Sequence, residues 1–133
     1  MDDVLNAHEE GIIRSFIDRS KREQFLRRLG NPKTRSKQLD KFNHFYDLDP
    51  RYAHLILPRH QTLHVIVRLL KAKGAPDSCY IMGDSDLDGR EMPLHEAVQQ
   101  VLDEPFAHFI SCLPGKLGFF QDEDVGRRYI LER

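Results

Sequence analysis

The sequence lacks several features that define particular classes of protein. It contains no tryptophan and only two cysteines, Cys79 and Cys112, which do not form a Cys-x-x-Cys motif. This spacing argues against a redox pair or a zinc ribbon, and we expect both cysteines to be reduced and buried. The 133 residues are enough for one domain with a hydrophobic core that needs no disulfide.

Long apolar runs and a secretion signal are also missing. No apolar stretch approaches the roughly 20 residues that a transmembrane helix needs. The first six residues lack the basic and apolar regions of a signal peptide. We therefore expect a cytoplasmic protein with no membrane partner.

The chain has almost no net charge, −1 at pH 7, but its charges are unevenly distributed. Residues 21–41 include eight basic and two acidic side chains, whereas residues 84–133 include five basic and eleven acidic ones. This asymmetry favours pairing between the two segments, and it also favours binding of an anionic partner.

The C-terminal half has the clearest secondary-structure pattern. Short apolar runs at residues 78–83, 107–113, 117–121 and 128–131 predict four strands, and the apolar spacing of residues 94–102 predicts a helix after the first. The resulting β-α-β-β-β order predicts an α+β fold with a mixed sheet, because a strand-helix-strand unit usually joins parallel strands. Pro114-Gly115 predicts a type II turn with an irregularity in the hairpin around it.

The N-terminal half is predicted to be mainly helical. Its apolar spacing indicates four helices. The first reaches about Arg19, and the second starts at a Ser20–Glu23 capping box. The third runs from about Arg35 and presents residues as far as Tyr46, and the fourth covers residues 61–73. Residues 52–58 are expected to be extended. We predict a single α+β domain over residues 1–133, in which the helices of residues 1–74 pack on the sheet formed by residues 75–133.

The strongest functional signal is a cluster of positive side chains, called here the basic block. It consists of Lys21, Arg22, Arg27, Arg28, Lys33, Arg35, Lys37 and Lys41. Interleaved with it are the rings of Phe25, Phe42, His44, Phe45 and Tyr46. Basic clusters bind phosphate backbones, and exposed aromatic rings stack on bases.

The basic block predicts a non-catalytic binding or regulatory module for an anionic partner, either nucleic acid or an acidic protein. The alternative is a solvated face whose aromatic rings form the core and whose charges balance the acidic half. Exposed rings beside the basic side chains would favour nucleic acid. Buried rings and arginines paired with acidic residues would favour a structural role. A domain that only associates with other proteins is a further interpretation.

Residues 84–91, called here the acidic loop, resemble the first half of a calcium-binding loop. Asp84, Asp86 and Asp88 alternate before Gly89, as the carboxylates of such a loop do. The twelfth position is His95, where a glutamate belongs, so the second half departs from the pattern. The three aspartates predict a divalent-cation site for calcium, and the competing interpretation is an acidic connection that the dipole of the following helix favours.

Other chemical groups give weaker signals. His60 and His64 have the i, i+4 spacing of many zinc sites, although Gln61 stands where a metalloprotease has glutamate. Cys112 beside His108 or His95 would be a candidate nucleophile, but a buried strand cysteine fits the pattern better. The sequence has no nucleophile elbow, glycine-rich phosphate loop or Rossmann fingerprint, so an enzymatic function has no positive support. Nothing in it indicates a homo-oligomer.

Short motifs near the C-terminus resemble a group of small uncharacterised bacterial proteins. They are Ile110-Ser-Cys-Leu-Pro-Gly115 and Arg128-Tyr-Ile-Leu-Glu-Arg133, with Leu87-Asp-Gly-Arg90 and Leu94-x-x-Ala97 upstream. The similarity covers mainly residues 78–133 and implies a bacterial, cytoplasmic protein. It implies no activity, ligand or catalytic residue. It weighs against calcium, because the group is associated with the Asp88-Gly-Arg90 turn and not with three alternating aspartates.

Overall fold

The computed structural model of the chain describes residues 5–43, 45–123 and 127–133. Its α-helices are α1 (Ala7–Phe16), α2 (Arg22–Leu29), α3 (Arg35–Asp40), α4 (Leu63–Ala72) and α5 (Leu94–Leu102). Its strands are β1 (Ala53–Leu55), β2 (Ser78–Gly83), β3 (Glu91–Pro93), β4 (His108–Leu113), β5 (Leu117–Gln121) and β6 (Arg128–Glu132). The predicted α+β class is confirmed.

The six strands form one sheet in the order β1-β6-β5-β4-β2-β3, and every neighbouring pair is antiparallel. The predicted mixed sheet is therefore wrong. The reason is β3, a three-residue strand that the sequence pattern did not reveal within the acidic connection. It pairs with β2 and reverses the chain before α5 begins, so β4 returns antiparallel to β2.

Helices cover both faces of the sheet and create two hydrophobic cores. Ile81, Ile110 and Phe119 belong to the core under α4 and α5. Their strand neighbours Met82 and Phe109 belong to the core under α1, α2 and α3. Because the side chains of a strand alternate between faces, burial on both sides explains why β2, β4 and β5 are continuous apolar runs.

Helix boundaries differ from the prediction around the basic block. The first helix ends at Phe16 and not near Arg19. The predicted capping box is wrong, because Ser20 lies in a 3-10 turn (Arg19–Lys21) in which its N–H donates to the Asp18 carboxylate. The third helix ends at Asp40, so Phe42, Phe45 and Tyr46 lie outside it and are not confined to one helical face.

The turn between β4 and β5 has the predicted geometry. Gly115 has φ 73°, the left-handed conformation that the third residue of a type II turn requires. The register shifts between Ser111 and Leu113, which is the irregularity expected beside such a turn. Helix α1 packs closely on this turn, since a Cβ added to Gly11 would lie 2.4 Å from the backbone nitrogen of Gly115.

No helix in the described part of the chain is both long enough and apolar enough to cross a membrane.

Candidate nucleic-acid interface

Most of the basic block faces solvent on α2, α3 and the turn between them. Lys21, Arg27, Lys33, Lys37 and Lys41 are exposed, and Arg28 is half-buried. None of these six side chains forms an ion pair with another described residue. Their positive charges are available to a partner.

The other two arginines of the basic block bind within the domain. The Nε of Arg22 donates to the Ile17 carbonyl at 2.8 Å, and its Nη2 lies 3.9 Å from the Asp49 carboxylate. Arg22 thus holds the start of α2 against Ile17 and Asp49. Arg35 has a still more extensive set of internal partners.

Arg35 is the centre of an ionic cluster with Glu9, Tyr80 and Asp88. Its Nη1 and Nη2 donate to the two carboxylate oxygens of Glu9 at 3.0 and 2.7 Å, and its Nε and Nη2 donate to those of Asp88 at 3.0 and 3.1 Å. The Tyr80 hydroxyl donates to Glu9, which is completely buried. The cluster ties α1, α3, β2 and the acidic loop together.

Electrostatics keep this cluster charged. Burial alone would lower the pKa of Arg35, but its hydrogen bonds to Glu9 and Asp88 outweigh that effect and raise the pKa. Burial, supported by the hydrogen bond to Glu9, raises the pKa of Tyr80 above its ordinary value. Tyr80 therefore remains a hydrogen-bond donor at neutral pH. Arg35 is a structural residue and does not belong to the exposed part of the basic block.

The aromatic residues near the basic block divide into a buried set and one exposed ring. Phe25, Phe42 and Phe45 are at most 5% exposed, and their ring centroids lie 5.2–5.6 Å apart. Tyr46 is 71% exposed. The three phenylalanines therefore form core. The Tyr46 ring is exposed, and the Arg127 guanidinium lies over it, 5.8 Å from the ring centroid. His44 lies outside the described residues.

A groove of about 680 Å³ opens between α2, α3, the segment after α3 and the α5–β4 turn. The buried rings of Phe25 and Phe45 contribute to its lining, together with the exposed rings of Tyr46 and Phe106. Lys21 and Lys41 of the basic block also line it. The groove therefore joins the basic surface to an aromatic one, and we call it the aromatic groove.

One of the three predicted metal ligands in the acidic loop, Asp88, already has hydrogen-bond partners within the domain. Asp88 accepts from Arg35 with both oxygens, and its Oδ1 also accepts from the Gly83 N–H at 3.1 Å. Asp84 is half-buried, and Asp86 is exposed. The described residues contain no group of three His, Cys, Asp or Glu side chains placed to hold a metal ion. The calcium site stays a prediction.

The predicted histidine pair does not share a helix. His60 ends a 3-10 turn (Pro58–His60), whereas His64 lies on α4, which begins at Leu63. The intervening residues do not continue a helix, so the spacing of four residues does not bring the two rings to one helical face.

Both cysteines are free and buried in the sheet, as the sequence predicted. Burial raises the pKa of Cys79 and of Cys112 to about 12, so neither supplies a thiolate at neutral pH. His108 has other partners: its Nδ1 donates to the Phe106 carbonyl at 2.9 Å, and its Nε2 is hydrogen-bonded to the Ser85 hydroxyl at 2.7 Å. His108 therefore secures the turn at the end of β2 and does not activate Cys112.

Three parts of this region were not predicted from the sequence. Glu9 carried no signal beyond its place in an amphipathic helix, Gln38 belongs to a polar stretch of α3, and Phe106 follows a helix-ending proline. Only Phe106 could have been noticed in the sequence, because it is an aromatic residue in the connection between a helix and a strand and belongs to no periodic apolar pattern. The other two become visible only through their burial in the fold.

The chain was compared with protein-family models, curated proteins and solved structures, and it matches none of them. The resemblance to small bacterial proteins thus stays a prediction, and function has to be argued from the surface itself.

Proposed function

We propose that this domain is a non-catalytic binding module whose basic block binds the phosphate backbone of a nucleic acid. The observation that supports the proposal is the set of six basic side chains on and around α2 and α3 that have no ion-pair partner among the described residues. Only two acidic residues, Glu23 and Asp40, lie in the same segment of the chain. Phosphates neutralised by such side chains release counterions, which drives binding at low salt.

An exposed aromatic ring favours nucleic acid over an acidic protein as the partner. Tyr46 projects into solvent beside Lys41 on the wall of the aromatic groove. Stacking on a base uses such a ring, whereas an acidic protein surface would need only the charges.

The buried, reduced cysteines are consistent with a reducing compartment, and a cytoplasmic location is part of the proposal.

The test is a fluorescence-anisotropy titration of short DNA and RNA oligonucleotides at several salt concentrations. The test variant replaces four exposed or half-buried cations by alanine: Arg27, Arg28, Lys33 and Lys37. Arg35 is left unchanged, because its loss would disturb the fold. If all four contact duplex phosphates, the slope of log K against log salt should become shallower by roughly 3 to 4.

A matched control removes the same number of positive charges from other exposed positions: Arg14, Arg59, Arg68 and Lys116. The control should keep most of the salt dependence of the wild type. Equal losses in the two variants would show that only net charge matters, and the absence of any binding at low salt would refute the proposal. Binding of an acidic polypeptide but of no oligonucleotide would identify a protein as the partner.

A further inference from the structure

The aromatic groove contains two exposed rings, and the Arg127 guanidinium lies over one of them, 5.8 Å from the Tyr46 centroid. Tyr46 is 71% exposed and Phe106 is 46% exposed, and both line the groove. They are two of the four large hydrophobic residues that the described chain leaves exposed. Beneath them, Phe25 and Phe45 are fixed by contacts with one another and with Phe42.

Hydrogen bonds hold in place the α5–β4 turn that carries Phe106. The Asn43 Oδ1 accepts from the Ala107 N–H at 2.8 Å, so the turn that carries Phe106 is joined to the segment that carries Tyr46. Gln121 fixes the same turn from the sheet, since its Nε2 donates to the carbonyls of Val101 and Glu104 at 2.7 and 3.0 Å. The Phe106 side of the groove is therefore held in place by the fold, which reduces the entropy lost on binding.

A buried amide of the groove lacks an acceptor. Gln38 is only 1% exposed, and its Nε2 has no hydrogen-bond partner within the described residues. Buried donors without a partner are rare, since each one destabilises a fold by the cost of removing it from water. Gln38 lines the groove, and a ligand whose carbonyl oxygen or ring nitrogen reached this amide would supply the acceptor that it lacks.

The charges of the lining determine which part of a nucleotide fits. Asp40, Asp47 and Glu123 line the groove together with two cations, Lys21 and Lys41. The three carboxylates repel phosphate from the interior, and those of Asp40 and Asp47 can accept hydrogen bonds from exocyclic amino groups. A nucleobase combines a flat π face for the rings with an edge that carries both donors and acceptors.

We infer that the aromatic groove binds one unpaired nucleobase of a single-stranded nucleic acid, stacked on Tyr46 or Phe106, with the adjoining phosphates on Lys21 and Lys41. This inference rests on the proposed function, and it adds a preference for single strands. A paired base inside a duplex presents only its edges in the grooves and cannot place its face on either ring. DNA and RNA share this chemistry, so both supply a base of the required kind.

The experiment titrates four labelled probes of equal length at one salt concentration: single-stranded DNA, single-stranded RNA, duplex DNA and an abasic single strand that has the same phosphates. The wild type should bind the two base-containing single strands more tightly than the abasic strand. Tyr46→Ala and Phe106→Ala together should weaken this binding by roughly 5- to 150-fold, the equivalent of the 1–3 kcal/mol of base stacking. The salt slope should not change, because the phosphate contacts remain.

Leu55→Ala is the matched control, since Leu55 is an exposed apolar side chain, 56% exposed, on β1. It should bind every probe as the wild type does. Equal affinity for abasic and base-containing strands, with the salt dependence retained, would refute the groove inference and leave the proposed function intact. No binding of any probe would overturn both. A preference for bases that survives in the double variant would place base recognition elsewhere and also refute the inference.

Gln38→Met separates ligand recognition from folding. It replaces the unpartnered amide with an apolar side chain of similar shape, so the melting temperature should be unchanged or higher. Affinity for the base-containing strands should nevertheless fall, whereas affinity for the abasic strand should stay the same. A variant with unchanged affinity for all probes would refute the assigned role of Gln38.

Discussion

Replacing Arg35 by methionine should destabilise the domain far more than replacing any other member of the basic block. The change leaves Glu9, which is completely buried, without its positively charged partner, and it removes both contacts to Asp88. Removal of one partner of a buried ion pair typically costs about 3–5 kcal/mol. We expect about 3 kcal/mol, because Asp88 is 21% exposed and Glu9 keeps its hydrogen bond from Tyr80. Domains of this kind unfold with about 5–15 kcal/mol in all.

Urea unfolding followed by circular dichroism measures this loss. Arg28→Met is the matched control, since Arg28 has the same side chain and no ion-pair partner among the described residues, and it should change stability by less than about 0.5 kcal/mol. The double variant Glu9→Gln with Arg35→Met should be more stable than Arg35→Met alone, because it contains no unpaired buried carboxylate. A loss below about 1 kcal/mol for Arg35→Met, or an equal loss for the control, would refute the reasoning.

Three further perturbations have expected outcomes. Replacing a helical glycine by alanine normally stabilises a helix by up to about 1 kcal/mol. For Gly11→Ala we expect a lower melting temperature instead, because the new Cβ would lie 2.4 Å from the nitrogen of Gly115. A higher melting temperature would contradict the packing. Hydrogen bonds from the Arg51 side chain hold the pKa of Asp49 below its usual value, so its contribution to stability is present above about pH 4 and is lost as the pH falls through the lowered pKa. Asp49→Asn should therefore be less stable than the wild type at pH 7, and the difference in thermal unfolding should shrink as the pH falls below about 4. A constant difference would argue against this pairing. If the acidic loop binds calcium, millimolar calcium should raise the melting temperature of the wild type but not of Asp86→Ala, and no shift in the wild type would dismiss the site.

Local patterns predicted most of the fold but not its strand directions. The runs that form β2, β4 and β5 were recognisable because burial on both faces makes them continuously apolar. Strand β3 was not, since its three residues include an exposed glutamate and a proline and are defined as a strand by their pairing with β2. That one missed strand reversed the expected direction of β4. The pairing of a short strand leaves no trace in its local composition.

The candidate site shows the same limit. The charges of the basic block were evident from the sequence, but their division into six available side chains and two internal ones depends on where Glu9, Asp49 and Asp88 lie in space. The sequence pattern likewise did not distinguish Phe42, Phe45 and Tyr46 as candidate stacking rings. Only packing on the sheet distinguishes the two buried rings from the exposed one.

The position of β1 at the edge of the sheet has a consequence for how the chain folds during synthesis. Its only neighbour in the sheet order is β6, and the register pairs Ala53 with Leu131. A ribosome adds about 5–20 residues per second, so β1 waits several seconds after its own synthesis for its partner to be made. Until then Leu55, already 56% exposed in the folded domain, has no strand beside it. Completion of the sheet is therefore a late event, and an incomplete chain would present this unpaired strand to chaperones or to other nascent chains.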